Sequence, residues 1–202
     1  FQGERLLPLR LPAGLPGAHN LSNAAAALTA ARVIGVELEG AIDALALFRP
    51  LPHRLQVLGE HSGRRYVNDS ISSTPVATVA ALESFAGEQV TLIVGGLDRG
   101  LDWAPYMKSF AATPPLAIIA VPDSGPRILG AMADAGMRPA GGMHEATDLA
   151  AAVELARRIT PRGAIVLLSP GAPSFPRFRD YRDRGRQFAI LCGFDLEERD
   201  LF

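Results

Sequence analysis

Three polar segments of this sequence have the residue types to handle an anionic ligand. The first is Asn68-Asp69-Ser70-Ile71-Ser72-Ser73-Thr74-Pro75. It sets a run of hydrogen-bonding side chains directly before a helix start, where free N–H groups and the positive end of the helix favour negative charge. Ser73 or Thr74 can also be read as a plain N-cap. That accounts for one residue and leaves Asp69 and Ser70 without a role. The second segment is Gly95-Gly96-Leu97-Asp98-Arg99-Gly100-Leu101-Asp102. Paired glycines allow a sharp turn or close approach of backbone to a ligand, and the Arg99 fork matches a carboxylate or phosphate. A Gly-rich turn with a solvated arginine is the simpler alternative. The third is Ser169-Pro170-Gly171-Ala172-Pro173-Ser174-Phe175, whose small residues suit a loop closing over a small ligand. The block from Arg177 to Gly185 reads as a charged helix face with i,i+4 pairs such as Asp180–Arg184.

Other chemistries find little support. His19, His53, His61 and His144 show no metal-ligand rhythm, and His19 and His53 draw interest only through their neighbours Asn20 and Arg54. No G-x-G-x-x-G is present, nor an acidic residue the expected ~20 positions after the paired glycines. This disfavours a dinucleotide-dependent oxidoreductase. The single cysteine, Cys192, excludes an internal disulfide, fits a reducing compartment and reads as a core residue.

The elements that must position these segments follow from hydrophobic pattern. Strands are expected at Arg64–Asn68, Val90–Val94, Leu116–Val121 and Ala164–Ser169, with a weaker one near Met137–Ala140. Helices are expected at Pro75–Phe85, Asp102–Ala111, Gly125–Ala135, Ala146–Ile159 and Phe178–Leu191. Strands such as Thr91-Leu92-Ile93-Val94 are apolar on both faces, as in a parallel sheet covered on both sides. The alternation predicts an α/β fold with a Rossmann-like, doubly wound, mostly parallel sheet. Ligands of such sheets bind at the carboxyl ends of the strands, which is where the three polar segments fall.

The N-terminal quarter differs. Arg5–Pro12 suggests an edge strand or loop, and Leu15 to Asn20 a turn. Helices are then expected over Leu21–Val36, ended by Gly35, and Glu39–Phe48. Arg49-Pro50-Leu51-Pro52 marks a boundary between residues 1–51 and 52–202. The 202 residues are 48% apolar and 20% charged, enough for a sizeable core. A net charge of −1 gives no bulk attraction to nucleic acid or anionic membrane, so neither is an expected partner. No apolar run reaches the ~20 residues of a membrane span. The start at Phe1, without Met or a leader pattern, is read as the start of an internal piece of a longer polypeptide.

Taken in order, several segments resemble the Mur ligase family. Gly17-Ala18-His19-Asn20-Leu21-Ser22-Asn23 through Ala26 looks like its G-x-H-N-x-x-N-x-x-A segment, and Pro52-His53-Arg54 like its P-H-R element. Asn68-Asp69-Ser70, Gly95-Gly96, Leu168-Ser169-Pro170 with Ser174-Phe175, and Phe178 through Arg184-Gly185 and Phe188 match in order and spacing. Each motif alone is weak; the ordered set is specific and spans nearly the whole chain. The likeness is strongest to the branch that adds glutamate to UDP-N-acetylmuramoyl-L-alanine in cytoplasmic peptidoglycan precursor synthesis. It implies ATP and magnesium as cofactors, an acyl-phosphate intermediate and a monomer. It also implies that residues 1–51 are a helical remnant of the central ATPase domain and 52–202 the glutamate-binding domain. Asn20, Asn23, Arg54 and Asp69 correspond to the ATP side, and Ser73, Arg99, Ser174, Phe175 and Tyr181 to the glutamate side.

The family's G-x-x-G-K-[ST] loop and the modified lysine of its central domain are not in this sequence and are expected upstream, with most of the magnesium site. No catalytic residue is assigned within the chain, which is expected to be inactive alone. Where the D-glutamate enzymes read D-S-K-A-T-N, this chain reads Asp69-Ser70-Ile71-Ser72-Ser73-Thr74, and a second family lysine is Arg99. Such a change is not neutral at a carboxylate site, so a variant branch using L-glutamate is a serious alternative. A non-catalytic nucleotide-binding module and a sister ligase, adding a diamino acid or extending folate with glutamates, are the rival readings. The expectation on which all this rests is spatial: Asp69–Thr74, the Gly96–Arg99 turn and Ser174–Phe175 share one rim and form a cup for a small dicarboxylate.

Overall fold

The computed structural model describes residues 18–48 and 51–195. The segments Arg5–Pro12, Leu15–Gly17 and Arg49-Pro50 lie outside the described residues. The chain divides into two compact units, residues 1–50 and 51–202. The described part of the first is a helical pair, α1 (Ala18–Val33) and α2 (Leu38–Ala46). His19 and Asn20, expected in a turn, already lie within α1. Gly35 sits at φ +89° and closes the helix, with Val36 N donating to Ala31 O at 2.9 Å. Only a residue tolerant of the left-handed region makes this cap without strain.

The second unit is built on six strands: β1 (Gln56–His61), β2 (Arg64–Asn68), β3 (Val90–Val94), β4 (Ala117–Ala120), β5 (Met143–Glu145) and β6 (Ile165–Leu168). Their order is β1-β2-β6-β3-β4-β5, and all pairs are parallel except β1–β2. The helices are α3 (Pro75–Glu83), α4 (Met107–Ala112, after a 3-10 turn at Ala104–Tyr106), α5 (Gly125–Asp134), α6 (Leu149–Ile159) and α7 (Tyr181–Cys192). Alternate strand residues serve opposite faces. Leu92, Ile118 and Leu167 pack with Leu82, Phe110 and Ile128 from α3, α4 and α5. Ile93, Ile119 and Val166 pack with Val153, Phe188 and Cys192 from α6 and α7. Burial holds the Cys192 thiol well above its ordinary pKa, as befits a core residue.

Two strand expectations need correction. No strand forms at Met137–Ala140; the fifth strand is Met143–Glu145. Pro139 has no N–H for a ladder, and its carbonyl instead accepts from Gly142 N in a turn. Strand β1 was not anticipated. Its hairpin turn is Ser62-Gly63, both at positive φ, the two-residue loop that suits a right-twisted pair. A bulge between Val57 and Gly59 interrupts its alternation.

Strand β6 lies between β2 and β3. The chain leaves β2 and β3 toward helices on one face, and leaves β6 toward α7 on the other. Successive connections therefore part on both flanks of β6, the arrangement that opens a crevice at the carboxyl ends. Helix α7 reaches β2 across a very tight contact. A β-carbon on Gly185 would collide with His53 Nδ1 and crowd the Asn68 side-chain amide. We expect Gly185→Ala to destabilise the chain by about 1–3 kcal/mol through overpacking, read as a lower urea midpoint at unchanged m-value.

Candidate functional site

Asp69 directly follows β2 and is only 2% exposed. Its Oδ1 accepts from Leu55 N at 3.1 Å, and its Oδ2 from Ser72 Oγ at 2.5 Å and Ser169 Oγ at 2.7 Å. One carboxylate thus buckles together the segment before β1, the β2 loop and the β6 loop. Burial raises its pKa to about 6, against the opposing pull of the two hydroxyls, the Leu55 amide and the nearby Arg54 charge. Thr74 is the N-cap of α3 by position, but no side chain makes a capping bond there. The polar run before Pro75 is therefore not spent on capping.

Arg184, expected in a surface pair with Asp180, is instead 2% exposed. Asp180 caps α7 by accepting from Asp183 N at 2.8 Å. The Arg184 guanidinium turns inward. Its Nε donates to Ser70 Oγ at 3.0 Å, its Nη2 to Ser70 O at 2.8 Å and its Nη1 to Ala172 O at 3.0 Å. Burial lowers its pKa to about 10, opposed by the Asp69 charge, so it remains a cation at neutral pH. Ser70 Oγ in turn donates to Tyr181 O at 2.8 Å. The β3 loop joins the same knot, with Gly95 N donating to Pro170 O at 2.8 Å and Leu97 N to Pro173 O at 2.9 Å. Gly96, at φ +148°, lies so close to Pro173 O and Arg184 Nη1 that no side chain fits.

The loops after β2, β3 and β6 meet as expected, with the Arg184 side chain in the space between them. Ser174 is buried, Ser73 and Tyr181 are half-buried, and Phe175 is 64% exposed. Tyr181 meets His53 edge-on at 5.9 Å. Arg54 and Arg99 are exposed. A cavity of about 460 Å³ opens beside the knot, with Gly96, Ser174 and Arg184 in its lining and without Ser73, Arg99, Phe175 or Tyr181. Asn20 and Asn23 lie one turn apart on α1, their amides 3.5 Å from each other. Among the described residues no group of three or more His, Cys, Asp or Glu is placed to hold a metal.

Sequence reasoning missed the role of Arg184 and named Ser169 only as part of its segment. Arg184 had a signal: with Phe188 and Cys192 it recurs every four residues on the buried stripe of α7. His53 was noted only for its neighbour. It is buried at φ 64°, and its Nδ1 accepts from the Asn68 amide at 2.9 Å. Burial and the Arg182 charge hold its pKa below the ordinary histidine value, against the opposing charge of Asp180.

The Asp69 shift gives a signed expectation. A carboxyl whose pKa is raised on folding favours the folded state below about 4, and that advantage is lost as pH rises through about 6. Asp69→Asn can keep the same partners by reversing the two hydroxyl bonds and has no charge to bury. We expect the stability difference between variant and parent to shift toward the variant by on the order of 2–3 kcal/mol from pH 4 to pH 7. Urea titrations at both pH values measure it.

Residues 53–171 match the family model described as Mur ligase, glutamate ligase domain. A UDP-N-acetylmuramoyl-L-alanine--L-glutamate ligase of Xanthomonas oryzae pv. oryzae is 48% identical over 96% of this chain, which covers 42% of that protein. The chain thus spans about two-fifths of the length of such relatives. Two solved structures from Thermotoga maritima share the fold. One is the UDP-N-acetylmuramate-alanine ligase MurC, with TM-score 0.63 and 23% identity over 93% of this chain and 40% of its own. The other is the MurF ligase in complex with ADP, with TM-score 0.61 and 15% identity over 92% of this chain and 39% of its own. With this family model matched over more than half of its length, the chain belongs to the Mur ligase family.

Proposed function

We propose that this chain is the amino-acid-receiving part of an ATP-dependent ligase that joins glutamate to UDP-N-acetylmuramoyl-L-alanine. The carboxylate of the precursor would be phosphorylated by ATP, the glutamate amine would attack the acyl phosphate, and amide and inorganic phosphate would leave. Residues 1–50 read as the end of the ATPase domain, with Asn20 and Asn23 toward the nucleotide, and residues 51–202 as the glutamate domain. The observation that carries the reading is the meeting of the β2, β3 and β6 loops on one rim, held by Arg184 and Asp69.

The chain's own residues would bind and orient, not move phosphate. Ser73, Ser174 and Tyr181 present hydroxyls at or near the rim, and Phe175 offers an exposed apolar surface beside them. Asp69, already spending its oxygens on Leu55, Ser72 and Ser169, acts by fixing loops. ATP, with magnesium, would supply the phosphoryl group. Among the described residues no group of three or more His, Cys, Asp or Glu is placed to hold that ion. A cytoplasmic location and a monomeric state follow from this reading.

L-glutamate is the proposed enantiomer. The two positions where the D-glutamate enzymes carry lysine are Ile71 and Arg99 here, and the 48%-identical relative is named for L-glutamate. Inverting the α-carbon while both carboxylates stay anchored misplaces the amine, so a change of enantiomer demands a change of anchor. The test is ADP release by the full-length ligase carrying this chain, given each enantiomer in turn. We expect L-glutamate to exceed D-glutamate in kcat/KM by at least about 100-fold, the equivalent of two misplaced polar contacts. Equal use, or preference for the D form, rejects the assignment. In the same assay Ser174→Ala is expected to raise KM for glutamate about tenfold while leaving KM for ATP unchanged. Residues 1–202 alone are expected to release no ADP.

A further inference from the structure

We propose that the cavity between α6 and α7 is a binding site for a small amphipathic acid, an apolar ring system carrying a single carboxylate, with Arg177 as its anionic contact. The proposal does not require the glutamate reading: of the rim residues assigned to the amino acid the cavity shares Ser174 alone, and its anionic contact, Arg177, is not one of them.

Volume and lining set the class of ligand. About 460 Å³ is within the ~300–1,000 Å³ typical of small-molecule sites. Most of the wall is apolar, formed by Leu149, Leu168, Val121, Phe178, Ile190 and Leu191. Free glutamate, with two charges and a short chain, would leave that surface unused and lose hydration for both carboxylates. A ring system gains from the same wall.

Charge and geometry set the polar end. Arg184 lines the cavity, but its three nitrogens already serve Ser70 and Ala172. Arg177 is half-exposed, and Asp123 orients it from outside the lining through Nε to Oδ2 at 3.1 Å and Nη2 to Oδ1 at 3.0 Å. Those bonds occupy one edge of the fork and direct the guanidinium, while its Nη1 edge makes no hydrogen bond to any described residue. Ser174 Oγ is likewise uncommitted among the described residues, whereas Gln187 is engaged with Asp183. Asp148 also lines the wall, its carboxylate capping α6 on Ala151 N. Asp123 and Asp148 nearby disfavour a doubly charged phosphate more than a single carboxylate.

Arg184 forms the partition between this cavity and the loops carrying Ser70 and Ala172. A ligand on one side therefore touches the same guanidinium that organises the other.

The test uses the 202-residue chain, methyl-resolved NMR and the probe 1-naphthylacetate, with neutral 1-naphthylacetamide as its control. We expect saturable shifts at Leu149, Ile190 and Leu191 with a dissociation constant of about 1 mM or below, and about tenfold weaker binding of the amide. Arg177→Gln is expected to abolish that acid–amide difference while leaving amide binding in place. Ala150→Trp, at an exposed position on the cavity mouth, is expected to block both probes. The absence of saturable shifts from the acid at about 10 mM overturns the proposal. So does an acid–amide difference that survives Arg177→Gln, or binding that survives Ala150→Trp.

Discussion

The second unit depends on one buried cation. Arg184 is withdrawn from water with no carboxylate of the described residues in contact, and neutral oxygens take its donors: the Ser70 hydroxyl and carbonyl and the Ala172 carbonyl. Hydrogen bonds from a charged group contribute about 1.5–3 kcal/mol each, and together they offset a desolvation cost of several kcal/mol per ion. The margin is narrow, so the geometry admits little slack. Any movement of the β2 loop or the β6 loop leaves part of the guanidinium unsatisfied. Because α7 carries the arginine, the helix that closes the fold also sets the spacing of the loops at the strand ends.

Asp69 is the counterpart of that cation, on the far side of Ser70. It raises the Arg184 pKa through space, against the burial that lowers it. Its own oxygens are filled by Ser72, Ser169 and the Leu55 amide, and burial has carried it to about 6. Two opposite charges are therefore buried near each other without touching, each solvated by hydroxyls and backbone. Low polarity around them strengthens these hydrogen bonds and makes an unmade one costly. Two small residues complete the arrangement. Gly96 lets the β3 loop approach Pro173 and Arg184, and Gly185 lets α7 approach His53 and Asn68.

Much of this was legible in the sequence. Strands buried on both faces are continuous apolar runs, so β3 was read with its observed bounds and β4 and β6 to within a residue at each end; β2, in which only Tyr66 and Val67 are apolar, was also read with its observed bounds. The polar strand-end segments were legible for the same reason: they interrupt those runs where a helix must begin. Strand β1 was hidden because its bulge breaks the two-residue period, although Ser62-Gly63 marked the hairpin. Arg184 was hidden because composition spoke against burial. It sits among Arg177, Arg179, Asp180, Arg182 and Asp183, and only its four-residue spacing to Phe188 identifies the inner face. Partners distant in sequence, such as Ser70 and Ala172, leave no local trace at all.

The cationic resources of the rim narrow how a carboxylate can be held there. The only lysine in the chain, Lys108, lies exposed on α4 and not among the strand-end loops. Ile71 gives no charge, and each Arg184 nitrogen already donates to Ser70 or Ala172, leaving only the second N–H of Nη1 and of Nη2. Arg54 and Arg99 are exposed, where a single ion pair contributes at most about 1 kcal/mol. What the buried part of the rim offers an anion is therefore hydroxyls, backbone N–H groups and the first turn of α3, not ammonium groups. Such a site is selective by direction more than by charge, since each hydroxyl or N–H tolerates a narrow range of acceptor positions. Under the proposed glutamate reading, an exchange of point charges for directional donors is the kind of change that moves an anchor carboxylate, and with it the handedness of the amino acid that fits.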